Sequence, residues 1–185
     1  ILVLFTAVIC NMVTPLLPIH ILWINLVTDS LPALALSVDP AARGIMRRKP
    51  IDPDQGILTR GFVIRIVLQS VLITALVLTA YHIGMRESID VARTMTFAVL
   101  AFSQMTLIFS IRSGNENAFA TLFSNGLLWG AILLVVVLML GVMLIPALQS
   151  IFHVVSLTGT QWLWVGGLSL AAFVVSEIVK LFVRK

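Results

Sequence analysis

The chain has 185 residues, of which 59% are hydrophobic and only 11% charged. A soluble domain of this length has too little interior to hide so much apolar surface, so the composition excludes a water-soluble globular fold and points to a bilayer. The formal net charge of +4 carries no nucleic-acid partner, because most Lys and Arg flank apolar runs, where membrane topology already accounts for them.

The expected fold class is an all-α membrane protein, a helical transmembrane bundle of about five full spans plus a partial first helix. Runs such as LLWGAILLVVVLMLGVMLIPAL, Leu127 to Leu148, are apolar all round rather than alternating, which excludes a transmembrane β-barrel. The first segment, Ile1 to Val13, is too short to cross alone and reads as the second half of a span. It begins ILVLFTAVIC, without an initiating methionine or a basic lead-in, so it reads as the start of a fragment and not as a signal peptide. The lone cysteine, Cys10, lies in this run and has no second thiol to pair with.

A second segment runs from Ile19 to Val38 and contains WINLVTDSLP; Asp39 and Pro40 stop it. The polar, proline-rich stretch from Asp39 to Gly61 then reads as an aqueous loop. Further spans are expected at Phe62 to Gly84, Ala92 to Ile111, Leu127 to Leu148 and Gln161 to Val183. Arg43, Arg47, Arg48, Lys49, Arg60, Arg65, Arg112, Lys180, Arg184 and Lys185 fall on one side if these spans alternate, and only Arg86 and Arg93 on the other. That asymmetry places the 39–61 loop and the C-terminus in the cytoplasm.

Within WINLVTDSLP, Asn25, Thr28 and Asp29 stand at i, i+3 and i+4, so an α-helix would present their oxygens on one stripe. A carboxylate near mid-membrane costs at least about 2.5–3.5 kcal/mol, and such residues mark ion pathways or proton relays. Pro32 adds a backbone effect: its ring clashes with the carbonyl four residues back, that of Thr28, and leaves this oxygen without its helical donor. Irregular backbone at membrane depth is tolerated beside a polar cavity, and broken helices recur where ions are held. The set is all oxygen, which suits a hard cation. The competing reading makes Asn25 and Thr28 interhelical glue and Asp29 the partner of an arginine. Gln104, flanked by Ser103 and Thr106, is either a further amide ligand or packing glue; Gln69 and Ser70 read as packing, and Glu177 as an interfacial ion pair with Lys180. No phosphate-binding glycine loop or nucleophile with its base occurs, so the segment alone is not expected to hydrolyse ATP.

At LLPIHILWINLVTDSLPALALSVDP, Leu16 to Pro40, the sequence resembles the P-type cation-transporting ATPases, and among them the calcium pumps. GIMRRKPIDPDQGILTRG, Gly44 to Gly61, and the last helix, Thr160 to Lys185, are similar to the same family. The resemblance covers essentially the whole chain, residues 1–185, as the C-terminal transmembrane domain from midway along the fifth helix to the tenth. It implies that Asn25, Thr28, Asp29 and Gln104 are cation ligands, with Ca²⁺ as the transported ion. It also implies that ATP and Mg²⁺ serve only a longer parent protein, whose upstream helices and cytoplasmic ATPase domains are this segment's partners along with the lipid bilayer. Gln104 stands where two-ion calcium pumps carry glutamate, as in plasma-membrane-type pumps, so the resemblance implies one Ca²⁺ per cycle and a plasma-membrane location. Ser30 follows Asp29 where glycine is common in the family. Pumps for Na⁺, Mn²⁺ or H⁺, a secondary transporter or channel, and a membrane scaffold are the alternatives.

Overall fold

The computed structural model describes residues 1–39, 60–112 and 125–183, with the side chains of Arg60 and residues 180–183 left out of the account. Among the described residues all regular structure is helical. In chain order the elements are α1 (Leu2–Ile9), α2 (Pro18–Trp23), a π-helical turn (Ile24–Asp29), α3 (Ser30–Ser37), α4 (Arg60–Gly84), α5 (Ile89–Arg112), α6 (Gly126–Leu144), α7 (Pro146–Phe152) and α8 (Gly159–Val183). Among the described residues five helical stretches are long and apolar enough to cross a membrane: Pro18–Ser37, Gly61–Gly84, Ile89–Arg112, Gly126–Leu144 and Gly159–Val179. This is an integral, multi-pass architecture.

The helix α5 is the axis of the bundle. Ala92, Met95, Phe97, Ala98, Val99 and Ala101 are all fully buried along it, and it packs against α4, α8 and the π turn. By contrast α4 is exposed along Phe62, Val63, Ile64, Val67 and Val71, an outward apolar surface of the kind that hydrocarbon covers. The contact between α4 and α5 is close where α4 ends and α5 begins. A Cβ added to Gly84 would lie 2.5 Å from the Ala92 Cα, so only glycine lets the two backbones meet there.

Hydroxyl and amide groups join the helices where apolar packing cannot supply direction. Thr106 Oγ1 lies 2.9 Å from both the Ser103 and the Ser169 carbonyl, and Ser110 Oγ pairs with Ser176 Oγ at 2.9 Å. Gln69, expected as a packing residue, donates to Ser176 Oγ at 3.4 Å. These contacts tie α4, α5 and α8 by interhelical hydrogen bonds, each worth about 0.6–2 kcal/mol in a membrane. Glu177 is half-buried on α8, but the pairing expected with Lys180 falls on a side chain outside the described set.

Two spans differ from their sequence-based expectations. The segment expected as one helix from Leu127 to Leu148 breaks at Ile145, and α7 restarts with Pro146 in its first turn. The missing N–H of proline is harmless there, because the first turn has no intrahelical acceptor to serve. The first segment ends at Ile9, and Asn11 takes a left-handed conformation with φ 50°, as asparagine tolerates. The non-helical stretch beyond it is fastened by Tyr81, whose hydroxyl donates to the Val13 carbonyl at 2.9 Å, and by Arg93 Nε, which donates to the Thr14 carbonyl at 3.1 Å. Of the loop expected from Asp39 to Gly61, residues 40–59 lie outside the described residues.

Candidate cation site

The second span is the one that does not stay α-helical. It enters as α2 with Pro18 in the first turn, passes through the π turn at Ile24–Asp29, and resumes as α3. Pro32, the third residue of α3, explains the position of the interruption: it has no N–H to donate, so regular i→i−4 pairing fails on its N-terminal side. The wider i→i+5 turn accommodates the gap, a device that recurs at functional sites. Ser30 reinforces the same geometry, its Oγ donating across five residues to the Asn25 carbonyl at 3.0 Å. The departure from glycine after Asp29 therefore has a local role.

The wide turn alters the expected stripe. Thr28 points inward and is 3% exposed, whereas Asn25 and Asp29 lie on the open side of the bundle. The i, i+3, i+4 coincidence holds for 3.6 residues per turn and fails when the turn widens. Gln104 is carried by α5, the helix that packs against the π turn. Among the described residues four buried side-chain oxygens have no hydrogen-bond partner, Thr28 Oγ1, Ser103 Oγ, Gln104 Oε1 and Ser169 Oγ, and two of them belong to the candidate set. An unpaired buried oxygen costs roughly 1–3 kcal/mol, so such atoms call for an account. The Asp29 carboxylate poses the same question from outside, because hydrocarbon against it would be costly. Its face must meet water, protein or a cation.

The donor chemistry is that of a hard cation. One carboxylate, one amide, one hydroxyl, a second amide oxygen and the carbonyls of a π turn suit Ca²⁺, which takes six to eight oxygens. Among the described residues no three His, Cys, Asp or Glu gather into a group that could hold a metal ion, so the candidate set has a single carboxylate and otherwise neutral oxygens.

Three features around the site escaped the sequence reading. His20, at the opposite end of α2 from the π turn, is completely buried and stacks on Phe97 with ring centroids 4.6 Å apart. Its Nδ1 accepts from the Leu17 N–H at 3.3 Å, which leaves Nε2–H to donate to the Phe152 carbonyl at 2.7 Å. The neutral Nε2–H tautomer thus fastens the start of the second span to α7. At the far end of that span, Asp39 receives Arg112 Nε and Nη2, both at 2.7 Å, in a two-pronged ion pair. Asn125 completes that group: it is 5% exposed, donates to Asp39 Oδ1 at 2.9 Å and to the Ala35 carbonyl at 3.1 Å, and accepts from Leu128 N–H at 3.0 Å. Arg112 and Asn125 together hold the Asp39 carboxyl below the usual carboxylate range, Arg112 contributing most. Asn125 immediately before the apolar run at Gly126 is an N-cap signal legible in the sequence; its partners on α3 are not.

A family model described as "Cation transporting ATPase, C-terminus" matches residues 13–182. The chain belongs to that family. Its relatives agree: it is 38% identical to "Calcium-transporting ATPase 1" of Bacillus cereus over 98% of this chain and 22% of that protein. The corresponding values are 38%, 91% and 19% for "Calcium-transporting ATPase" of Bacillus subtilis, and 32%, 94% and 19% for "Calcium-transporting ATPase type 2C member 1" of Homo sapiens. The chain therefore spans about a fifth of the length of the curated relatives it matches. It is a membrane portion of a P-type cation-transporting ATPase family, built from apolar helices.

Proposed function

We propose that this segment is the cation-binding membrane part of an ATP-driven Ca²⁺ pump, and that Asn25, Thr28, Asp29 and Gln104 supply oxygens to the transported ion. The observation that carries the reading is the π turn at Ile24–Asp29, in which an intramembrane carboxylate directly follows, in sequence, a threonine whose buried hydroxyl oxygen has no partner. A bound Ca²⁺ would satisfy both at once: it neutralises Asp29 and accepts the lone pair that Thr28 Oγ1 offers to nothing else. The Gln104 Oε1 atom fits the same role from α5, and an uncharged amide there limits the site's negative charge. We accordingly assign one Ca²⁺ per cycle.

The names of the relatives support calcium over other cations. ATP and Mg²⁺ act in the longer protein to which this segment belongs, and its remaining helices complete the ligand shell on the open side of Asn25 and Asp29. The excess of Lys and Arg on the side of the 39–61 loop supports a cytoplasmic loop and C-terminus. The plasma membrane is the proposed host.

ATP-driven ⁴⁵Ca²⁺ uptake into vesicles carrying the full-length protein tests the reading. Uptake should be lost in Asp29→Asn and weakened in Gln104→Ala, with Na⁺ unable to replace Ca²⁺. Uptake that persists in Asp29→Asn, or transport driven equally by Na⁺ or Mn²⁺, would overturn it.

A further inference from the structure

The group formed by Asp39, Arg112 and Asn125 lies away from the candidate cation site but is attached to every helix that builds it. Asp39 follows the end of α3, ten residues beyond Asp29, and Arg112 ends α5, eight residues beyond Gln104. At 1.5 Å per helical residue these separations are about 15 Å and about 12 Å. The two helices thus leave the site by similar lengths and are fastened together at nearly the same level. The fastening is directional: two N–H groups of one guanidinium meet two oxygens of one carboxylate, both at 2.7 Å, a geometry that a single point charge does not fix. Arg112 is 7% exposed at its side chain and Asp39 24%, so water competes weakly for either.

Asn125 adds the third helix. Its amide caps the start of α6 through Leu128 N–H and takes up the Ala35 carbonyl, one of the four that the end of α3 leaves without an intrahelical donor. The same side chain therefore serves the C-terminus of one helix and the N-terminus of the next, while also holding Asp39. The body of α3 packs on α6, and the π turn packs on α5. A shift of α3 along its axis would move Asp29 and Thr28 relative to Gln104 and would have to break this group first.

We propose that Asp39, Arg112 and Asn125 form a positioning clasp that sets the axial register of the ion-carrying helix against α5 and α6, and so sets cation affinity without touching the ion. The proposal rests on the reading of the π turn as the Ca²⁺ site. Its test is a calcium titration of ATP-dependent phosphoenzyme formation in the full-length protein, comparing wild type with Asp39→Asn, Arg112→Lys, Asp39→Glu and the double variant Asp39→Asn with Arg112→Gln. The half-maximal calcium concentration should rise about fivefold or more in Asp39→Asn and Arg112→Lys, as expected for coupling between separated sites. The maximal phosphoenzyme per folded molecule should be retained, and Asp39→Glu should recover part of the affinity. The double variant should be no worse than the poorer single variant, because both singles break one contact.

Titration curves that coincide with wild type, while the variants unfold at lower temperature, would reduce the group to a structural staple and overturn the proposal. A fall in maximal phosphoenzyme with unchanged calcium dependence would do the same. If Asp39→Asn does not accumulate, Arg112→Lys decides the matter, since it keeps the positive charge and loses only the two-pronged contact. A wild-type protein that does not respond to calcium fails differently, removing the ion-site reading and the clasp's role with it.

Discussion

Replacing Asn125 removes three hydrogen bonds through one side chain, and the structure assigns each a different character. The N-cap bond to Leu128 N–H is worth about 1 kcal/mol. The bond to the Asp39 carboxylate is charge-assisted, at about 1.5–3 kcal/mol, and that to the Ala35 carbonyl is neutral, at about 0.5–1.5 kcal/mol. Because one residue makes all three, the losses overlap, and Asn125→Ala should destabilise by about 3–5 kcal/mol. Substitutions that keep part of the set separate its contributions. Asn125→Ser retains a capping oxygen without the donors and should recover about 1 kcal/mol of the loss. Asn125→Asp also caps, yet it sets a second carboxylate against Asp39, so at neutral pH it should be less stable than Asn125→Ser and should recover on acidification as the pair takes up a proton. Denaturant unfolding of the purified protein in bilayers or mild detergent at neutral and mildly acidic pH reads these differences. The reasoning fails if Asn125→Ala lies within about 0.5 kcal/mol of wild type, the ordinary range for an uninvolved surface change, or if Asn125→Asp matches wild type at neutral pH.

The Asp39 carboxyl, held below its ordinary value of 3.8, contributes stability that is fully present above that value and is lost as the pH falls through its lower folded-state value. Acid unfolding followed by circular dichroism should show this decline, and Asp39→Asn should be less stable at neutral pH and flatter below it; a parallel decline in both proteins would contradict the assignment. Thr28→Val keeps the shape of the side chain and removes an oxygen with no partner in the fold. It should therefore leave stability unchanged or raise it by about 1 kcal/mol, while the calcium concentration needed for half-maximal activation increases; a large loss of stability with normal calcium dependence would make the hydroxyl structural. Gly84→Ala forces a methyl group to within 2.5 Å of the Ala92 backbone, and the resulting overpacking should cost about 1–3 kcal/mol in the same unfolding assay. Unfolding at the wild-type denaturant midpoint would show that α4 and α5 separate there without cost.

The membrane class, the spans and the residues of the π turn were legible because length and hydropathy decide them locally. Phe62 to Gly84 was expected as a helix and is one from Arg60 to Gly84, since nothing in that run interrupts intrahelical pairing. The break at Ile145 was also local, with Pro146 as its signal, but the strongly apolar run around it hid the proline. The π turn was less accessible. Pro32 announces that the α pattern must fail near Thr28, but whether the chain kinks, unwinds or widens depends on what packs beside it. That choice turned Asn25 and Asp29 to the open side and Thr28 inward, which the 3.6-residue spacing did not express. The clasp lay furthest from view. Asp39 read as a helix stop and Arg112 as a topology marker, and both descriptions fit the sequence; their meeting depends on the fold of a chain that separates them by 73 positions.

Calcium-dependent phosphoenzyme formation from ATP by the full-length protein, in wild type and Asp29→Asn, with Na⁺ and Mn²⁺ titrated in parallel, tests the central claim most directly. Phosphorylation driven by Ca²⁺ alone and abolished in the variant is the result the π-turn site requires. A normal response in Asp29→Asn, or no cation dependence in wild type, would contradict it.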